Sequence, residues 1–377
     1  MQTRSAVSVA SSPGGDVAQA HETARALNAL GVEVRVSSEL QPDLTDIDLV
    51  HVFNLVRPQD AMVQARHAWR HRRPVALSTV YCDMWEYDSS ARGGLGGAIA
   101  RHAGRNSIEL AKAAGRAVRS RELHRGLLPL LWPGYRSLQQ ELMARCDVLL
   151  PNSVSELRRI ERDLELEIPE ERYVAVPNAV DPVAYDSERL DAHSPPAHLA
   201  EHEGCVLCVG RVEGRKNQLN VIRALADGGH RLVLAGPPAA NQRAYVEAVR
   251  AEVGRRPNTR WLGAVSEEDK RWLYRLARVH VLASWMETTG LVSLEAAAMG
   301  CALVVTPNGD TREYFDGAAH FCSPEDPRSI RSAVDAAYRA GPDAKLRYRI
   351  LTDYTWDAAA QATARGYEMA LAREAAH

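Results

Sequence analysis

The 377-residue chain is 46% hydrophobic and 25% charged, which excludes fibrous and disordered classes and allows about two domains with full cores. A formal net charge of −2 gives no global pull on nucleic acid, so any basic partner surface has to be local. The opening apolar stretch is too short for a signal-peptide core and no run of about 18 apolar residues occurs, so the reading is a soluble cytoplasmic protein.

In chain order, "SAVSVASSPGGDVAQAHETARALNALGVEVRVSS" predicts a strand, a Pro-Gly-Gly loop, an amphipathic helix stopping at Gly31 and an alternating strand, which is a βαβ unit. Further strands are expected at "DLVHVFNL", "PVALSTV", "CDVLLPNS" and "YVAVPNAVD", with helical spacing between them. Between Arg92 and Arg136, nine Lys or Arg stand against only Glu109 and Glu122, and "GGLGG" and "LLPLLW" lie in the same region. This basic helical insertion, about 88–140, reads either as a solvated surface or as one that meets anionic lipid or an anionic acceptor. From Asp186 the polar, proline-bearing "DSERLDAHSPPAHLAEHEG" predicts a linker. The pattern then restarts, with strands at "CVLCVGR", "RLVLAGPP", "TRWLGAV", "VHVLASW" and "CALVVTP". Alternating strands and helices predict parallel sheets covered on both faces. The expected division is a first domain over 1–185, a linker over 186–203, a second domain over 204–353, and a closing helix over 354–377 that packs back on the first domain.

The six cysteines are scattered through apolar runs, as buried reduced thiols are. Cys205 and Cys208 have C-x-x-C spacing, but on a strand residues i and i+3 point to opposite faces, against a metal or redox pair.

Two segments carry chemistry. In "SWMETTGLVSLEAAAMG" a loop from Met286 to Gly290 follows a strand and leads into a helix beginning near Leu291 and stopping at Gly300. Open α/β sheets bind ligands at such strand ends. Thr288 or Thr289 is expected to cap the helix, whose N-terminus favours an anion, and Gly290 allows close approach. Glu287 and Glu295 add two carboxylates, a group that can accept hydrogen bonds from sugar hydroxyls. In "VGRVEGRKNQ", Arg211 and Lys216 are two cations at another strand end, suited to a pyrophosphate.

Together these residues resemble the GT-B glycosyltransferases of family 4, in which G-R-x-x-x-x-K-N is followed by E-x7-E. The matching text is "GRVEGRKN" and "ETTGLVSLE", with "PGG", "VPNAVD", "LAGPP" and the closing "YTWDAAAQATARGYEMAL". The resemblance implies an α/β GT-B architecture of two Rossmann-like domains with parallel sheets facing across a cleft. It further implies a nucleotide-diphosphate sugar donor held by the second domain, an acceptor held by the first, and transfer with retention of anomeric configuration. Arg211 and Lys216 would then bind the diphosphate, Glu295 the ribose, and Glu287 with the backbone of Thr288, Thr289, Gly290 and Leu291 the donor sugar, making Glu287, Arg211 and Lys216 the catalytic set. Gly14 and Gly15 of "PGG", Gly210, Gly236 of "LAGPP", and Gly263 and Val265 of "LGAV" complete the donor side. No cofactor or metal is expected if Arg211 and Lys216 neutralise the leaving diphosphate.

Three departures from the family pattern stand out. Thr288-Thr289 replaces a usual aromatic, Asn178-Ala179 replaces Asn-Gly, and Tyr81 stands where many members present a histidine, leaving His51, Asn54 and Tyr81 as acceptor-side candidates. The acceptor is expected to be a saccharide or lipid-linked molecule in bacterial surface polysaccharide or glycolipid assembly, with peripheral contact to the cytoplasmic membrane face through the basic insertion. Three rival readings are a metal-dependent transferase using Asp46 and Asp48, a nucleotide-sugar epimerase on the same fold, and a non-catalytic sugar-nucleotide binding protein. The two aspartates precede their strand at its amino end, away from the ligand edge.

Overall fold

The computed structural model describes residues 1–3, 15–82, 134–226 and 229–375. The strand expected at "SAVSVAS", Gly14, the basic run from Arg92 to Arg125 and the "LLPLLW" hexamer lie outside the described residues. The chain divides into two compact units, Met1–Asn178 with Trp356–His377, and Ala179–Thr355.

In the first unit, α1 (Gly15–Ala29), β1 (Val50–Phe53), α2 (Pro58–Arg70), β2 (Val75–Ser78), α3 (Tyr135–Arg145), β3 (Val148–Leu150) and α4 (Val154–Leu164) follow one another. The strands are parallel, in the order β1-β2-β3, and every strand residue is buried. Such short apolar runs fit a sheet covered on both faces. Met1 to Thr3 runs beside β1, with the Gln2 N–H donating to His51 O at 2.7 Å and the Thr3 N–H to Ser37 O at 2.9 Å. The start of α4 is fixed by Ser153, whose hydroxyl accepts from the Glu156 N–H, and Leu157, Ile160 and Leu164 form its buried stripe.

The second unit contains α5 (Ser187–Asp191), β4 (Val206–Val209), α6 (Gln218–Ala224), β5 (Leu232–Ala235), α7 (Arg243–Gly254), β6 (Thr259–Trp261), α8 (Glu267–Leu276), β7 (Val279–Leu282), α9 (Leu291–Ala298), β8 (Ala302–Val305), α10 (Thr311–Phe315), β9 (His320–Phe321), α11 (Pro327–Ala340) and α12 (Ala344–Asp353). Its six parallel strands run β6-β5-β4-β7-β8-β9. Alternate residues of β4 serve two cores: Cys205, Leu207 and Val209 join one cluster, Val206 and Cys208 the other. The two thiols are thus on opposite faces, each free and raised to about 12 by burial.

Residues 186–203 differ from the expected linker. Asp186 caps α5, Arg275 grips Asp191 with two hydrogen bonds of 2.5 and 3.0 Å, and Leu199 and His202 are buried, so the stretch is folded into the second unit. The change of unit falls instead at Asn178 and Ala179, and again at Thr355 and Trp356. There the Val180 N–H donates to Tyr354 O at 2.9 Å. The final helix, α13 (Trp356–Ala375), packs on α1, β2 and β3 of the first unit. Gly366 permits this, because a Cβ there would lie 2.6 Å from Leu150 Cδ2. No helix among the described residues is long and apolar enough to cross a membrane.

Candidate active site

Strand order locates the site before any side chain is considered. β4 has β5 on one side and β7 on the other, so the connections leaving β4 and β7 diverge and open a crevice at the carboxyl edge of the sheet. "GRVEGRKN" follows β4 and "SWMETTG" follows β7, which brings the two chemistry-bearing segments together.

The floor is backbone. Gly210 and Gly236, leaving β4 and β5, have φ of +145° and +148°, and a Cβ on Gly236 would fall 2.1 Å from Gly210 O. The Gly236 N–H donates to Gly263 O at 2.7 Å, linking the ends of β5 and β6, and half-buried Val265 follows before α8. The stem of Lys216 lies over Gly210, with Cε 3.8 Å from where a Cβ would stand.

Lys216 is held by its neighbours. It ends a 3-10 turn over Gly214–Lys216, and the next residue, Asn217, is buried in the left-handed region at φ +60°. The Asn217 side-chain amide donates to Ala283 O at 2.9 Å and Pro324 O at 2.7 Å, which pins the turn against the end of β7. Lys216 Nζ donates to Glu287 Oε1 at 2.5 Å, and Arg215 Nη1 stands 3.4 Å from the same oxygen. The Lys216 and Glu287 side chains are only 12% and 6% exposed. Burial pushes the Glu287 carboxyl upward, but Lys216 and then Arg215 outweigh it and hold it below its ordinary value. Arg211 stands partly exposed at the start of the loop, with its carbonyl accepting from Gln218 at 2.9 Å.

Glu287 is anchored from behind by "TPNGD". Its N–H donates to Asn308 O at 3.1 Å, and its carbonyl accepts from the Asp310 N–H at 3.0 Å. Gly309 makes that pairing possible, since a Cβ at its φ of +106° would lie 1.8 Å from Glu287 O. The helix beyond corrects one expectation. α9 begins at Leu291 behind an N-cap of Gly290 at φ +77°, with no side-chain cap, so neither Thr288 nor Thr289 caps it. Thr289 is fully buried instead, and the Ser293 N–H turns back to Gly290 O at 2.8 Å, which leaves Leu291 and Val292 as the first-turn N–H groups of α9 without a backbone partner among the described residues. On the second turn, Glu295 is contacted by Lys270 and Tyr274 of α8.

On the first unit two acceptor-side expectations are corrected. His51 lies within β1, not at its end; its ring is 2% exposed, with Nδ1 2.8 Å from Tyr367 Oη and Nε2 2.9 Å from Ser78 Oγ. Both nitrogens are thereby occupied inside the unit. Tyr81 is likewise buried, its N–H donating to Glu156 Oε1 at 2.7 Å and its hydroxyl to Asp163 Oδ2 at 3.1 Å, so its phenol is turned to α4. Asn54 does stand just past β1, at φ +85°, with its amide donating to Asp16 Oδ2 at 2.8 Å near the start of α1, one residue from exposed Gly15. Asp46 and Asp48 are exposed ahead of the amino end of β1, apart from these edges.

Sequence reasoning missed Arg215, Asn217 and the Asn308–Asp310 turn. The signals were the second Arg inside "GRVEGRKN" and the Pro-Asn-Gly turn shortly after an apolar strand.

Two α/β units with parallel sheets and this edge have the GT-B fold. Residues 191–350, within the second unit, match the family model described as glycosyl transferases group 1. Among curated relatives, an uncharacterized glycosyltransferase of Methanocaldococcus jannaschii is 27% identical over 219 residues, covering 54% of this chain and 55% of the relative. Glycogen synthase of Mycobacterium tuberculosis is 32% identical over 174 residues, covering 43% and 42%. The chain thus spans about half the length of the curated relatives it matches. Among solved structures, HepE of Anabaena in complex with UDP superposes with a TM-score of 0.65 at 15% identity, covering 97% of this chain and 98% of that one. Sucrose-phosphate synthase of Thermosynechococcus elongatus gives 0.62 at 16% identity, covering 86% and 74%. At these identities the likeness is one of fold.

Proposed function

We propose that this chain is a retaining glycosyltransferase that moves a sugar from a nucleotide-diphosphate sugar to an acceptor hydroxyl without a metal ion. The observation that carries this reading is the Lys216–Glu287 contact of 2.5 Å at the β4/β7 switch point, beside Arg215 and the uncapped start of α9. As the bond between sugar and phosphate breaks, negative charge grows on the leaving diphosphate. Lys216 has three N–H donors; one is on Glu287, and the others can face phosphate oxygens together with Arg211 and the α9 N–H groups. Glu287, kept ionised by the same lysine, receives hydroxyls of the donor sugar. A leaving-phosphate oxygen takes the acceptor's proton, so no protein nucleophile is needed. The UDP held by HepE, a structural neighbour, supports a nucleotide-linked donor. The acceptor is proposed to be a saccharide or lipid-linked molecule of a surface polysaccharide or glycolipid.

The test is a panel of nucleotide sugars followed by mass spectrometry, with and without saccharide acceptors and EDTA. Expected are acceptor-dependent consumption of one donor and a rate unchanged by EDTA. Conversion of donor without acceptor would replace transfer by epimerisation, and loss of rate restored by Mn²⁺ would overturn the metal-independent reading.

A further inference from the structure

Glu295 sits in a charged cluster of its own. Lys270 and Tyr274 are four residues apart on α8 and so share a face. The Tyr274 hydroxyl donates to Glu295 Oε2 at 2.9 Å, while Lys270 Nζ lies 3.2 Å from Oε2 and 3.3 Å from Oε1. On its other side Lys270 meets Glu267 Oε2 at 2.8 Å, and its ammonium stands 5.9 Å from the centre of the Tyr185 ring. The Lys270 and Glu295 side chains are each 15% exposed, enough to be touched by a ligand and buried enough for the charges to matter.

We infer that Lys270 is a positioning residue for nucleotide binding: by straddling both oxygens of Glu295 it holds that carboxylate, against Tyr274, as a charged acceptor for the hydroxyls of a nucleoside diphosphate. This rests on the nucleotide-sugar reading of the site above. The Tyr274 and Tyr185 hydroxyls both bond the carboxylate and fix its plane, and with the lysine contacts long and shared between the two oxygens, a carboxylate that has about four lone-pair sites keeps capacity for one further hydroxyl donor. Burial pushes the Glu295 carboxyl up, and Lys270 is the largest influence opposing it. Without the lysine only the Tyr274 and Tyr185 hydroxyls oppose desolvation, and the acid is weakened as an acceptor for hydroxyls.

The experiment is calorimetric titration of the full chain with UDP, ADP and GDP, and then with the 2′,3′-dideoxy form of whichever binds. The native protein is compared with Lys270→Met and Lys270→Arg, and thermal midpoints are recorded alongside. Lys270→Met is expected to weaken the ribose form at least about tenfold, as loss of a hydrogen bond to a charged group does. It is expected to leave the dideoxy form unchanged, and Lys270→Arg to restore most of the affinity. Equal weakening of both forms, or none, overturns the positioning role and makes the cluster a closed structural ion pair, while the nucleotide reading stands. If the native protein binds none of the three, that reading falls and this inference with it.

Discussion

Replacing Lys216 by Met deletes an ammonium and keeps an apolar stem of similar length over Gly210. What remains is a carboxylate, 6% exposed, whose nearest cation is Arg215 at 3.4 Å. At an effective dielectric of about 20 the 2.5 Å contact is worth about 6–7 kcal/mol before desolvation. Breaking one side of a buried pair costs about 3–5 kcal/mol in net terms, and the remaining Arg215 places the expectation near the lower value, about 3 kcal/mol. For a unit of this size that corresponds to a fall in melting temperature of about 6–12 °C. The companion change Glu287→Gln removes the orphaned charge, so the double variant should regain at least about half of the lost stability while remaining inactive. Calorimetric melting of the native protein, both single variants and the double variant closes the cycle. A Lys216→Met midpoint within about 1 °C of native, or a double variant less stable than Lys216→Met, would refute the electrostatic account of the pair.

Three further expectations follow from other residues. His280, in the middle of β7, is fully buried with neither ring nitrogen partnered among the described residues, and burial lowers its pKa from 6.5 to about 3. Unfolded, it takes up a proton below pH 6.5; folded, it does not until about pH 3, so its contribution to stability is full above pH 6.5 and is lost as pH falls. The loss is about 2 kcal/mol at pH 5, and His280→Leu should remove that part of the slope in urea unfolding, which an unchanged slope would contradict. Gly309→Ala, whose new Cβ would sit 1.8 Å from Glu287 O, should cost at least about 2 kcal/mol by the same assay and lower turnover, because the backbone behind Glu287 must move. Changing Arg101, Arg105, Lys112, Arg116, Arg119 and Arg125 to Gln should abolish salt-sensitive sedimentation with acidic vesicles, at roughly 1 kcal/mol per basic residue; equal binding of the native protein to neutral vesicles removes the membrane role.

The second unit was legible because most of its strands are short apolar runs, β4 and β5 ending directly at glycine, and because Lys216 and Glu287 follow the ends of β4 and β7. What could not be read was which residues those side chains would meet. Lys216 and Glu287 are far apart in sequence, and only the strand order that sets β4 beside β7 makes them partners. Nothing in the sequence marks Arg215 apart from the other arginines of the chain, or shows that the backbone of Glu287 lies against Gly309. His51 and Tyr81 show the reverse error. A polar residue near a strand end was read as facing ligand, yet hydrogen bonds to Tyr367, Ser78 and Asp163 satisfy these side chains inside the unit. The supposed linker failed for a third reason: a short helix with a side-chain cap and one good Arg–Asp pair leaves almost no periodicity to detect.

The central claim is that the Lys216–Glu287 site transfers a sugar. Its most direct test is the turnover rate of Glu287→Gln on the preferred donor, measured beside its affinity for the matching nucleoside diphosphate. The account predicts a fall of at least about a hundredfold in turnover, with nucleotide affinity within about threefold of native, because the carboxylate acts at the reacting sugar. Native turnover in a stably folded Glu287→Gln protein would contradict it.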